Sequence, residues 1–268
     1  MRYKLAIVLA AITMLATSPA LPMDRGRYSE EVSVTIVSDG GKTLLSIPHR
    51  DFWQGGTRII KKYFAATQGE NYGMVIRNTT RERIGVVIAV DGRNIISGRR
   101  SELRSTEDIY IMNSREQGRF DGWRTGQDNI HKFYFTETTD SYAIRTFNDS
   151  SAMGVIAVAV YREKEQPMRL EEQRNNAPAA PSAESAMRGA ARKSKDESAG
   201  TGFGEEQYSP TFRVVFEPER EPVQKTLIKY EWREVLCKKG ILPCYQKQGN
   251  RLWDQDGYAP YPPGYPSN

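Results

Sequence analysis

Reactive side chains are scarce in this chain. Cysteine occurs twice, at Cys237 and Cys244, and histidine twice, at His49 and His131. A four-ligand zinc site would need both pairs, which lie far apart in sequence, so a metal site has little support. No Gly-x-Ser-x-Gly elbow occurs, and two histidines are the whole stock of imidazole bases, so nucleophilic catalysis is poorly provided for. The glycines at 200, 202 and 204 follow a polar stretch and precede a strand pattern, whereas a dinucleotide-binding turn sits between a strand and a helix. No cofactor is expected. Hydrophobic residues make up 38% of the chain, against roughly 45–50% in ordinary domains when glycine is counted. Segments of low apolar content must therefore sit beside an ordinary core. A surplus of one charge is also missing. The net charge of +5 comes from interleaved acids and bases without a basic stripe, which argues against nucleic acid as a partner.

The one long apolar run lies at the start. Arg2 and Lys4 precede an apolar stretch over residues 5–16, and Ser18-Pro19-Ala20 supplies small residues at the positions a signal peptidase reads. This predicts a signal peptide over residues 1–20 cleaved after Ala20, hence export to the periplasm or cell surface. The run is short for a membrane span, which takes about 20 residues; an uncleaved anchor is the alternative. In an oxidising compartment Cys237 and Cys244 are expected to form a small-loop disulfide.

What the chain does have is β pattern. Residues 84–90, Ile-Gly-Val-Val-Ile-Ala-Val, are almost wholly apolar and β-branched, which suits a strand covered on both faces. With Tyr72-Gly73-Met74-Val75-Ile76-Arg77 before a polar break, they read as an antiparallel hairpin near the middle of a sheet. Residues 154–161 offer a second central strand. Val32, Val34 and Ile36 alternate with polar residues as in a half-buried strand, residues 43–47 read as its return arm ended by Pro48, and residues 132–136 form an aromatic strand. Residues 140–145 read as a loop or short strand. Short strands at spacings near ten residues predict a mainly β fold, an antiparallel β-sandwich of jelly-roll or immunoglobulin-like type over residues 24–165.

Composition changes over residues 166–199, which hold almost no large apolar side chain and read as a disordered linker. Residues 200–247 read as a small β-β-α unit, separate or docked: a strand at 211–216, its partner at 226–230, and a short helix from Arg233 capped by Gly240. Residues 248–268 form a Pro/Tyr-rich tail suited to extended, exposed conformations.

The strings Val90-Asp91-Gly92, Gly122-Trp123-Arg124, Asp140-Ser141-Tyr142-Ala143 and Gly154-Val155-Ile156-Ala157-Val158, followed by Gly200-Thr201-Gly202-Phe203-Gly204-Glu205, resemble an uncharacterised family of exported proteobacterial proteins. The resemblance covers residues 72–161 and 200–241. It implies a bacterial origin and a shared fold, and carries no chemistry; the expected location is the periplasm or cell surface of a Gram-negative bacterium.

The candidate binding cluster is Trp123, Arg124, Asp140, Ser141, Tyr142 and Arg145. An aromatic platform, an acid and guanidinium groups are the mixture a sandwich rim offers to a sugar or peptide. The competing reading makes Trp123 a plug in the end of the sandwich, with Asp140 and Arg145 an ion pair locking a loop. The expected function is a non-catalytic protein-interaction or envelope-assembly module whose partner is an envelope or surface protein. The alternative is a glycan- or cell-wall-binding or -acting protein with its site at the Trp123/Asp140 rim.

Overall fold

Alternating β-branched and aromatic residues build strands that bury one face, and strands account for about half of the described residues. The computed structural model describes residues 31–164 and 198–244. The expected leader with its Ala20 cleavage point, most of the expected linker and the Pro/Tyr tail lie outside them. In chain order the strands are β1 (Val32–Ser38), β2 (Ser46–Gln54), β3 (Thr57–Ala66), β4 (Asn71–Asn78), β5 (Ile84–Val90), β6 (Arg93–Asn94), β7 (Tyr110–Met112), β8 (Gln117–Phe120), β9 (Gly122–Arg124) and β10 (Asn129–Glu137). A 3-10 turn at Thr138–Asp140 and helix α1 (Tyr142–Phe147) lead to β11 (Val155–Arg162). After the undescribed segment come β12 (Ala199–Thr201), β13 (Glu206–Tyr208), β14 (Gln224–Trp232) and helix α2 (Arg233–Lys238).

The strands form two sheets. The first runs β1-β4-β10-β12, with β8 on β4 and both β9 and β13 on β10; the second runs β2-β3-β14-β11-β5-β6, with β7 on β5. Val32, Val34 and Ile36 of β1, Tyr72, Met74 and Ile76 of β4, and Phe133 and Phe135 of β10 meet Ile84, Val86, Ile88 and Val90 of β5 and Ile156, Val158 and Val160 of β11 in one core. Tyr72 stacks on Phe135 with centroids 4.1 Å apart. Burying each such side chain contributes about 1.5–3 kcal/mol. The mainly β, two-layered architecture is as expected. β5 is buried along its whole length, because Val87 on its outer face joins Ala159 and Tyr161 beneath Leu103 and Ile109.

The connections differ from the sequence reading in several places. β4 and β5 are not a hairpin: β4 pairs with β1, β8 and β10, and β5 with β11, β6 and β7. Asn78 diverts the chain from one sheet to the other. Its buried side chain donates to Glu82 O and Asn113 O, both at 2.8 Å, and accepts from Thr80, an Asx-type turn that ends β4. Pro48 does not stop a strand; β2 passes through it with a bulge between Pro48 and Arg50, which is tolerated because β2 is an edge. Of residues 140–145, Asp140 ends the 3-10 turn, Ser141 is the extended cap of α1, and the remainder is helical instead of strand or loop.

The largest departure concerns the C-terminal part. β14 is no partner of residues 211–216, which form no strand. It lies between β3 and β11, parallel to the first and antiparallel to the second, along nine residues of β3. Residues 198–244 therefore supply an interior strand of the second sheet. Ala199, expected in the linker, opens a strand paired with β10. Cys237 and Cys244 are disulfide-bonded, their Cα atoms 5.0 Å apart, just beyond α2, and Gly240 takes the left-handed conformation that ends it.

Candidate functional site

Trp123 on β9 is only 2% exposed. Its Nε1 donates to Gly202 O at 3.0 Å, its ring meets Phe133 edge-on at 5.2 Å, and Tyr142 tilts against it at 4.6 Å. Packed on these sides, it offers no open face as a platform. Ser141 is buried too, donating to Thr138 O at 2.7 Å and accepting from Ile144 N as the cap of α1. Asp140 and Arg145 are exposed and form no ion pair with each other among the described residues. The structure thus brings together Trp123, Ser141 and Tyr142, as packing, and leaves Asp140 and Arg145 apart from them in solvent.

A buried carboxylate, Asp91, organises this region. Asp91, in the left-handed conformation at the β5–β6 turn, accepts from Gly154 N and Thr201 N at 2.7 Å and from Tyr230 Oη at 2.6 Å. Thr201 Oγ1 lies 2.7 Å from both Tyr230 Oη and Tyr72 Oη. Because Tyr230 donates to Asp91, Thr201 must donate to Tyr230 and Tyr72 to Thr201, so three hydroxyl protons all point toward one carboxylate. Burial pushes the Asp91 carboxyl up to about 6. Burial and the adjacent carboxylate also push Tyr230 well above the ordinary phenol range. With Asp91 1% exposed, no substrate reaches it, and the cluster is a joint between strands of both sheets.

The glycine run belongs to the same joint. Gly202 N and Gly204 N donate to Tyr134 O and Lys132 O of β10, so these amides are not available to a phosphate. A Cβ on Gly202 would lie 2.1 Å from the Tyr134 ring. Asp91 thus ties Gly154, Thr201 and Tyr230 together, and Trp123 joins them through Gly202.

Arg124 has another task. Its Nε donates to Tyr110 Oη at 2.8 Å, and its Nη1 to Gln127 O at 3.0 Å and Ser209 O at 2.9 Å. This holds the chain where it leaves β13, and Thr211 N and Oγ1 add bonds to Gln127 O. At the other end Arg83 donates to Val215 O at 3.1 Å. The same guanidinium pairs with Glu163 and lies over the Phe216 ring at 5.6 Å. Phe216 is tucked against Gly85 and Ile109, in space a Cβ on Gly85 would occupy. Beyond it Lys164 N donates to Glu217 O and Glu219 N to Arg162 O. Residues 211–216 therefore cross from the end of the first sheet to the second, anchored by Arg124 at Ser209 before them and by Arg83 at Val215.

Between these anchors, side chains with strand alternation lie in water. Phe212 is 86% exposed, Val214 57% and Val215 80%. Among the described residues the backbone N–H groups of 212–216 donate no hydrogen bond. A second unpaired element is the outer edge of β2, which pairs with β3 alone among the described residues and exposes Trp53 by 62%. Exposed apolar residues on unpaired backbone are a template for adding a strand.

Comparison with protein-family models, curated proteins and solved structures finds no match. Among the described residues no group of three or more His, Cys, Asp or Glu side chains is placed to hold a metal ion, and no helix is long and apolar enough to cross a membrane.

Proposed function

We propose that the chain is an exported, non-catalytic protein-interaction module of a Gram-negative envelope that binds partner proteins by strand addition. The observation that carries this reading is the clamped segment 211–216, strand-patterned, apolar and unpaired. Holding a segment at both ends lowers the ordering cost of binding. The Cys237–Cys244 disulfide supports an oxidising compartment, and the N-terminal pattern of residues 1–20 supports export. The glycan reading at the Trp123/Asp140 rim has less behind it, because Trp123 is enclosed and Asp140 does not converge with it.

The test is a pull-down from envelope extracts with the tagged chain and with the Phe212→Ser/Val214→Ser/Val215→Ser variant. The variant should keep the wild-type melting temperature and lose the partners. Retention of every partner would overturn the reading. Binding to purified cell-wall glycan that survives these substitutions would favour the alternative.

A further inference from the structure

The two unpaired elements do not meet within one copy. β2 pairs with β3, and residues 211–216 join no strand. We propose that they meet between copies: the 211–216 segment of one chain adds to the β2 edge of the next, and the partner is a second copy of this chain. The inference rests on the reading of 211–216 as a strand-adding element.

The geometry of β2 supports the pairing. Gly55 and Gly56, both in the left-handed region, make the two-residue turn that closes the β2–β3 hairpin at Gln54 and Thr57. Counting back from that closing pair, Gln54 and Phe52 bond to β3, so the backbone groups of Asp51 and Trp53 face outward. An antiparallel strand with Arg213 opposite Asp51 sets the free N–H of Arg213 against an outward carbonyl. It also sets the guanidinium beside a carboxylate that is 48% exposed on its side chain. The same register places Phe212 opposite Phe52 in a non-hydrogen-bonded pair, where side chains approach most closely. Pro48 and the bulge beside it limit the usable edge to the residues after them. The contact is head-to-tail: it uses different surfaces on the two copies, so it leaves one open edge and one open segment at the ends of any assembly and propagates unless it closes into a ring.

Sedimentation velocity over a concentration series of the purified chain tests this. The wild type should grow in size with concentration. Phe212→Glu/Val214→Glu and, separately, Trp53→Glu should each raise the dissociation constant about tenfold or more, as loss of an interface anchor does. Both variants change exposed side chains, and melting curves matching the wild type confirm that each is folded. The deciding arm mixes the two variants. One keeps an intact edge and the other an intact segment, so the mixture should give a one-to-one dimer that grows no further. A wild type that stays monomeric overturns self-pairing while leaving the pull-down result to stand or fall separately. A dimer that survives Phe212→Glu/Val214→Glu, or a mixture that stays monomeric, also overturns it.

Discussion

Single side chains in this protein act by completing a joint. Asp91 shows the sign of the effect on stability. Its carboxyl sits at about 6 when folded, against 3.8 ordinarily, so between those values the folded chain holds a proton that the unfolded chain has released. Stability from this group is therefore full below pH 4 and lost as pH rises through 6, by about 3 kcal/mol for a shift of this size. The urea midpoint should rise on going from pH 7 to pH 5, and Asp91→Asn should flatten that part of the profile while lowering stability overall, since an amide cannot accept from all three donors. Asp149, held low by Ser151 and Arg93, and Asp51, held low by Arg58, act in the opposite direction only below pH 4. Gly202→Ala should cost about 1–3 kcal/mol by overpacking against Tyr134, measurable by denaturant unfolding. Asp91-Gly92 has the composition of a turn, and the chain turns there between β5 and β6. Nothing in the sequence signals that the carboxylate is buried, because its three donors come from residues 154, 201 and 230, far along the chain.

Elements were legible in pattern and much less so in partnership. β1, β5, β10, β11 and β14 fall where alternation or apolar runs put them, and the short helix before Gly240 is where the glycine cap placed it. Residues 211–216 alternate as well as β1 does, yet they pair with nothing described; local pattern reports fitness for a sheet and cannot report whether a neighbour exists. Likewise residues 140–145 read as a loop or short strand, and α1 formed because Ser141 caps it and Ala143 is buried. Arg124 was singled out for its company with Trp123, whereas its function is set by Ser209, 85 residues away. Removing that anchor with Arg124→Met should speed amide exchange at Ser209 and Thr211, whose N–H groups bond Asp128 O and Gln127 O, with little change in the core strands, as expected for an element tied down by a few polar contacts. Reducing the Cys237–Cys244 bond should destabilise the region by about 2–3 kcal/mol on the loop-closure estimate, read as faster exchange in α2.

At the scale of the molecule, the order of strands was hidden because it depends on contacts distant in sequence. The polar break at residues 79–83 suits a hairpin turn or a crossing between sheets equally well, and only the packing of both faces decides. The same holds for β14, which reads as half of a small unit and is an interior strand. A protease site engineered within residues 165–197 tests that placement: after cleavage the two pieces should elute as one species and separate only in denaturant, since β14 is bonded along both sides. Pieces that part under native conditions would contradict it. The slot between β3 and β11 also sets a timetable. Synthesis delivers β3 by residue 66 and β11 by residue 162, but the strand that joins them ends at residue 232. Until then the second sheet is two halves with a gap, and closing it requires contacts of high sequence separation, which form slowly. The nascent polypeptide thus cannot close this sheet until residue 232 has been made.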